Sequence, residues 1–408
     1  MPTDDLALLR ELAYRYRDIA MQPIIDERRD LWRRHNSLKR TRPLIYVRAF
    51  AWQEMSESRL QCKDPLYRAY EDFFRQSLFR HTLDDDTVFE PWVTVRAACV
   101  TPPEGVWGLA SPRTHSDEVR GSFIWEAPLK SEADIERLVP PHHTIDEDAT
   151  SRRVDKLQAA LGDILPLAVA RHPAYTVWDG DISTQLAYLR GLEQIMWDIF
   201  DRPAWLHRLL TLMRDGILRT HAEAEHAGDW SLTSHENQAM PYADELPDPA
   251  PNSGPVQRSR LWIFLASQET TAIGPRQFEE FMLRYQIPIM APFGLSAYGC
   301  CEDLTPKMDV LREIPNLRRI AVSPMANVAK CAAQIGQDYV LSYRPSPTEM
   351  VGYGFDPVKV RDVLTRDLEA CGDCHVDITL KDVETVQGDP DRVRRWVEVT
   401  REVIEKLY

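Results

Sequence analysis

The sequence predicts an α/β protein of the (β/α)8 TIM-barrel class with an N-terminal helical extension. Three observations lead there. Short β-runs alternate with helical runs, and they centre near residues 45, 90, 176, 263, 296, 321, 340 and 378, the number that closes such a barrel. Several of these runs end in polar residues, the pattern expected where strands deliver side chains to a barrel mouth. No G-x-G-x-x-G turn marks the dinucleotide site of a doubly wound open sheet.

Residues 1–42 are read as a helical arm. Asp4 to Arg34 carries Leu, Ala, Arg and Glu at helical spacing, broken near Pro23 into two helices. Residues 43–408 are assigned to the barrel. Pro43–Phe50 is the first β-run. Asp64-Pro65 opens a helix, with Asp at the cap and Pro in the first turn, that runs to about His81. Asp84-Asp85-Asp86 reads as a solvated turn before the β-run at 88–95, and residues 101–150 as loops and short strands. A helix over 152–165 precedes a third β-run placed at Tyr175–Val177. One long helix, or a pair broken at Pro203, fills 183–227. The proline-rich stretch near 231–260 has few large aliphatics, and so long a structureless segment is expected to be an active-site lid or a disordered insertion. Leu261–Ala266 is a β-run, Gly274-Pro275 opens a helix, and β-runs near residue 296, ending in Ser323 and at Tyr339–Ser342 follow with helices between them. Cys374–Leu380 is the last β-run and Pro390–Leu407 a final amphipathic helix.

A formal charge of −14 argues against a nucleic-acid surface and against adhesion to anionic membranes. No apolar run reaches spanning length, and the acidic N-terminus lacks a secretory pattern. Seven cysteines then read as reduced thiols or metal ligands in a cytoplasmic protein.

The candidate chemistry lies at the strand ends. Tyr298, Cys300, Cys301, Glu302 and Asp303 crowd the end of one β-run. In an extended strand Tyr298, Cys300 and Glu302 share a face, and a thiolate beside a carboxylate is a zinc-ligand pair, so Cys300, Cys301 and Glu302 are the metal candidates. Against this stands the common fate of free cysteine as a small buried apolar residue. Gln268-Glu269 ends another run and could orient a polar substrate or carry a proton. Asp179 and Asp181 could bind a cation, share a proton, or cap the following helix. His235 in the long loop is a candidate if that loop folds over the mouth. Arg344 is suited to a substrate carboxylate or phosphate, and Lys381, Asp382 and Glu384 end the last run. Cys371-Gly-Asp-Cys374-His375 matches C-x-x-C-H, but it begins a strand at the barrel bottom and is read as a turn with a buried cysteine.

Several segments, in this order, carry a family resemblance: Trp178-Asp-Gly-Asp-Ile-Ser-Thr-Gln-Leu with Gly191-Leu-Glu193 and Asp201-Arg-Pro203, then Gly274-Pro-Arg-Gln-Phe278, Ala297-Tyr-Gly-Cys-Cys-Glu302 and Ile320-Ala-Val-Ser-Pro-Met-Ala-Asn-Val328. Together they resemble the uroporphyrinogen decarboxylase superfamily, most closely its corrinoid-linked, zinc-dependent methyltransferase branch. The resemblance implies a (β/α)8 barrel that moves a methyl group from a small methylated substrate to a corrinoid protein or a thiol, with zinc and with cobalamin carried by a partner protein. That branch places a His-Xaa-Cys motif where this chain has Tyr298-Gly-Cys300. The reading of the residues themselves puts Glu269, Tyr298, Glu302 and Arg344 in catalysis, Asp179, Asp181, His235, Gln268, Lys381 and Glu384 on the substrate, and Cys300 and Cys301 with Glu302 on the metal. The decarboxylase branch implies the alternative of cofactor-free decarboxylation, and a non-catalytic small-molecule-binding relative is a third reading. The assembly is left open, a homodimer included.

Overall fold

The computed structural model describes residues 3–117 and 122–408. Its elements run α1 (Thr3–Ala20), α2 (Pro23–Asn36), β1 (Leu44–Val47), α3 (Pro65–His81), β2 (Val93–Arg96), β3 (Arg113–His115), β4 (Phe123–Trp125), α4 (Glu147–Leu161) and β5 (Leu167–Ala170). Then come α5 (Ser183–Arg190), α6 (Leu192–Asp201), α7 (Pro203–Ala227), β6 (Trp262–Leu265), α8 (Pro275–Phe278), α9 (Arg284–Met290), β7 (Leu295–Tyr298), α10 (Met308–Leu311) and β8 (Leu317–Val322). The chain closes with α11 (Val328–Ile335), β9 (Val340–Tyr343), α12 (Pro357–Cys371), β10 (His375–Leu380) and α13 (Asp391–Leu407).

Six strands form a parallel sheet in the order β1-β10-β9-β8-β7-β6, β2 pairs with β5 in parallel, and β3 with β4 makes an antiparallel ribbon. The fold is α/β and TIM-barrel-like, with the six-strand and two-strand ladders as separate hydrogen-bonded units. Alternation along the strands sorts the side chains. Ile263, Leu265, Tyr298, Ile320, Val322, Leu341, Tyr343, Ile378 and Leu380 join one large core with the helices. Trp262, Phe264, Ala266, Leu295 and Ala297 form a separate inner cluster with Cys300, Ala243 and Leu246.

Four expectations need correcting. The third long strand is Leu167–Ala170, which pairs with Val93–Arg96, and not Tyr175–Val177. Val177 has φ of +53° and starts a single 3-10 turn, a geometry no strand tolerates. The run 183–227 is three helices, broken at Gly191 as well as at Pro203. Asp85 and Asp86 are buried rather than solvated: their carboxylates accept the Val47 N–H at 2.8 Å and the Ile45 N–H at 2.7 Å, so side chains satisfy one edge of β1. Finally, the 231–260 segment is neither lid nor loose insertion. Tyr242, Ala243 and Leu246 are buried, Asn36 at the end of α2 donates to the Met240 and Tyr242 carbonyls at 2.8 Å, and Trp262 Nε1 donates to Pro241 at 2.7 Å. Part of it packs where β6 and β7 begin, with Leu246 and Ser259 against Gly294.

A buried polar network joins the central strands of the six-stranded sheet. Asp377 of β10 receives Arg319 of β8 at 2.6 Å, the Ser342 and Thr379 hydroxyls at 3.1 and 3.0 Å, and contacts His35 of α2 at 3.2 Å. Burial alone would raise the Asp377 carboxyl, but Arg319 and then His35 outweigh it and hold the group at about 2. The helical arm is thereby tied to three central strands.

Candidate active site

The residues at the C-terminal ends of β1, β6, β7, β9 and β10 converge. Gly299, directly after β7, has φ of +95°, and a Cβ there would lie 2.5 Å from Leu304, so only glycine makes this bend. The bend ends the strand early and frees Cys300 and Cys301 from strict alternation. Cys300 is 5% exposed and belongs to the inner cluster, whereas Cys301 is exposed at the rim. Their sulfurs are 3.7 Å apart.

Lys381, from the end of β10, is buried and points its ammonium at both, 3.0 Å from Cys301 Sγ and 3.4 Å from Cys300 Sγ, while also pairing with Asp382. The hydrogen bond from Cys300 and then the Lys381 cation pull the Cys301 thiol down to about 6, and burial opposes them. The same sulfur–sulfur contact, with burial, pushes the Cys300 thiol up. The exposed sulfur is thus the one whose ionised form is favoured, and the buried one is held as a thiol.

Glu302 does not share this role. It is 1% exposed, and its two oxygens accept the Ser267 N–H at 2.8 Å and the Cys300 N–H at 2.7 Å. It clamps the ends of β6 and β7 together. Replacing it in Glu302→Gln keeps the shape but turns one acceptor into a donor facing a buried N–H. The expected cost is about 1–3 kcal/mol in chemical denaturation, with a loosened cysteine bend.

Tyr298 lies on the opposite side of β7. Its hydroxyl donates to Gln286 of α9 at 2.7 Å, and the Gln286 amide donates to the Asp181 and Ala266 carbonyls. Glu269 receives Ser183 Oγ at 2.8 Å and Thr184 Oγ1 at 3.1 Å, which anchors the start of α5 to the end of β6, and Gln268 Nε2 donates to it at 3.1 Å. Asp181 accepts the Thr184 N–H and hydroxyl, the capping alternative, and burial followed by Glu269 and Glu302 raises its carboxyl well above the usual range. Asp179 accepts from Gln185 and is also raised, by burial. His235 lies at the start of β6, away from these strand ends: its Nδ1 accepts the Trp262 N–H at 3.3 Å, and burial lowers it to about 4. Glu384 is exposed beyond the rim, where its carbonyl accepts from Gln53.

Arg344, after β9, is 2% exposed; it donates to the Cys300 carbonyl at 3.0 Å and keeps a buried Nε without a partner. Arg48, after β1, donates to Gln238. A cavity of about 360 Å³ lies between α11 and α12 behind Arg344, with Ser323, Asn327 and Ser346 in its walls. Neither Arg48 nor the Arg319–Asp377 pair is named by the sequence reading. An arginine directly after a β-run and single charged residues inside β-runs were the available signals.

A zinc ion does not fit this donor set. The Lys381 ammonium already lies against both sulfurs, where a cation would be repelled, and both Glu302 oxygens are committed to backbone donors. Among the described residues no group of three or more His, Cys, Asp or Glu is arranged to hold a metal. Among the described residues, too, no helix is long and apolar enough to cross a membrane.

No family model and no curated protein matches the chain. The solved structures do give matches, among them a methyltransferase from Methanosarcina mazei, with a TM-score of 0.52 over 92% of this chain and 97% of that one. The chain shares that protein's fold. At 14% identity the likeness is one of backbone architecture alone.

Proposed function

We propose that the chain is a methyltransferase of the uroporphyrinogen decarboxylase-like kind, acting on a small methylated substrate at the C-terminal end of its strands. The observation that carries this reading is the exposed Cys301 sulfur lying 3.0 Å from the buried Lys381 ammonium, a contact that favours its ionised form. A thiolate is a soft nucleophile suited to attack on a methyl carbon. The Cys301 sulfur takes the methyl group, the carbon–leaving-group bond breaks, and the leaving group departs with the bonding electrons. Lys381 takes the place the resemblance gives to zinc, keeping the sulfur ionised by charge rather than by coordination. Arg344, which has no carboxylate partner among the described residues, is the group that would hold an anionic part of the substrate. A corrinoid protein is the exchange partner we propose, and its cofactor would supply or take up the methyl group.

The test is peptide mass analysis after incubation with methylcobalamin and with a panel of small methylated compounds. The reading expects a methyl group on the peptide containing Cys301 and none in Cys301→Ser. Unmodified Cys301 across all donors contradicts it. The decarboxylase reading is favoured by Arg344 and Arg48, which suit a substrate carboxylate. It expects CO₂ release from a small acid or tetrapyrrole that survives Cys301→Ser.

A further inference from the structure

We propose that Cys300 and Cys301 form a redox-active vicinal dithiol that exchanges with small-molecule disulfides, Cys301 attacking and Cys300 resolving. This does not require the methyl-transfer reading.

Three features place the two sulfurs in different roles. Cys301 is exposed and Cys300 is enclosed behind it, so a guest disulfide meets Cys301 first. The two sulfurs are 3.7 Å apart, so the second step needs an approach of less than about 2 Å to reach a disulfide bond length. Lys381 contacts both sulfurs and so supports negative charge on whichever is the nucleophile. The Gly299 bend and the Glu302 clamp on the Cys300 N–H hold this arrangement on rigid strand ends. Other cysteines are differently placed. Cys62, Cys99 and Cys374 point their sulfurs at backbone carbonyls and Cys331 meets the Thr305 hydroxyl.

In the first step the Cys301 thiolate attacks one sulfur of the guest RSSR, forming the Cys301–SR bond and expelling RS⁻. In the second, Cys300 Sγ attacks Cys301 Sγ, the Cys301–SR bond breaks, and the Cys300 proton leaves with the second RS⁻ as RSH. The cysteines are oxidised by two electrons to one disulfide while the guest is reduced to two thiols. A disulfide closed across a single peptide bond is strained, and strained disulfides are the readily reduced ones, which suits a dithiol that must be regenerated by an external thiol.

The experiment adds one equivalent of 4,4′-dithiodipyridine to the full chain and follows thiopyridone release and intact mass. The wild type is expected to release two thiopyridones per chain, lose two hydrogens in mass, carry no adduct, and return to its starting mass with dithiothreitol. Cys300→Ser should release one and keep the mixed disulfide on the Cys301 peptide. Cys301→Ser should slow the first release by about 100-fold. Circular dichroism of both serine variants checks that they are folded. A stable single adduct on wild-type Cys301, or two separate adducts, overturns the proposal. Methyl transfer is not read in this assay, so its failure and the failure of the methyltransferase reading are separate results.

Discussion

Lys381→Met is expected to slow alkylation of Cys301 by iodoacetamide about tenfold at pH 6.5 while leaving the rate at pH 9.5 nearly unchanged. The reason is charge. In the wild type the Cys300 hydrogen bond and the Lys381 ammonium hold Cys301 at about 6, so most of it is ionised at pH 6.5. Removing the ammonium 3.0 Å away, with the Cys300 hydrogen bond still in place, lets the thiol rise part of the way toward the ordinary value of about 8.5, so about a tenth of it stays ionised. Far above either value both proteins are fully ionised and the difference vanishes. The methionine side chain keeps most of the buried stem's volume, so packing changes little. Equal slowing at both pH values would show that the substitution altered access instead.

Asp377→Asn carries the largest expected stability effect. The side chain is wholly buried, and its charge is matched by Arg319, which is 1% exposed. Neutralising it strands a guanidinium among apolar strands and loosens the link to His35 of α2. The expected loss is about 3–5 kcal/mol in denaturant unfolding followed by circular dichroism. The pH dependence has a definite sign. The folded-state value is depressed to about 2 from an unfolded value of about 3.9, so the carboxylate's contribution is complete above about pH 4 and is lost as the pH falls through 2. The stability gap between wild type and Asp377→Asn should therefore be constant above pH 4 and narrow toward pH 2. A gap under about 1 kcal/mol at pH 7 would mean the pair is not what holds the arm to the sheet.

Much of the fold was legible because strand and helix periods differ. Seven of the strands lie within or beside the β-runs read from the sequence, and Asp64 caps α3 through the Leu66 and Tyr67 N–H groups as its position before Pro65 suggests. The exception is instructive. Tyr175-Thr-Val has the stronger β-propensity, yet Leu167-Ala-Val-Ala has the neighbour, Val93–Arg96, with which to pair. Propensity lost to tertiary pairing.

The site was legible in part for the same reason. That chemistry gathers at the end of β7 follows from local sequence, and so does the presence of Lys381 at the end of β10. That Lys381 would lie against both sulfurs does not, because the contact joins residues 80 positions apart. Nor could the sequence show that Gly299 turns the chain before alternation can place Tyr298 beside Cys300, or that Glu302 would be spent on two backbone N–H groups. The 231–260 segment misled because few large aliphatics were taken to mean exposure. Its prolines and polar residues instead cap the strand starts, with Asn36 and Trp262 meeting its carbonyls.

The most direct check on the reactive sulfur is the pH dependence of iodoacetamide labelling of the wild-type chain, resolved by peptide so that Cys301 is followed alone. A midpoint near pH 6 for Cys301, with Cys300 unlabelled until far higher pH, is the expected result. A Cys301 midpoint of about 8.5 or above, the value of an unassisted thiol, would contradict it.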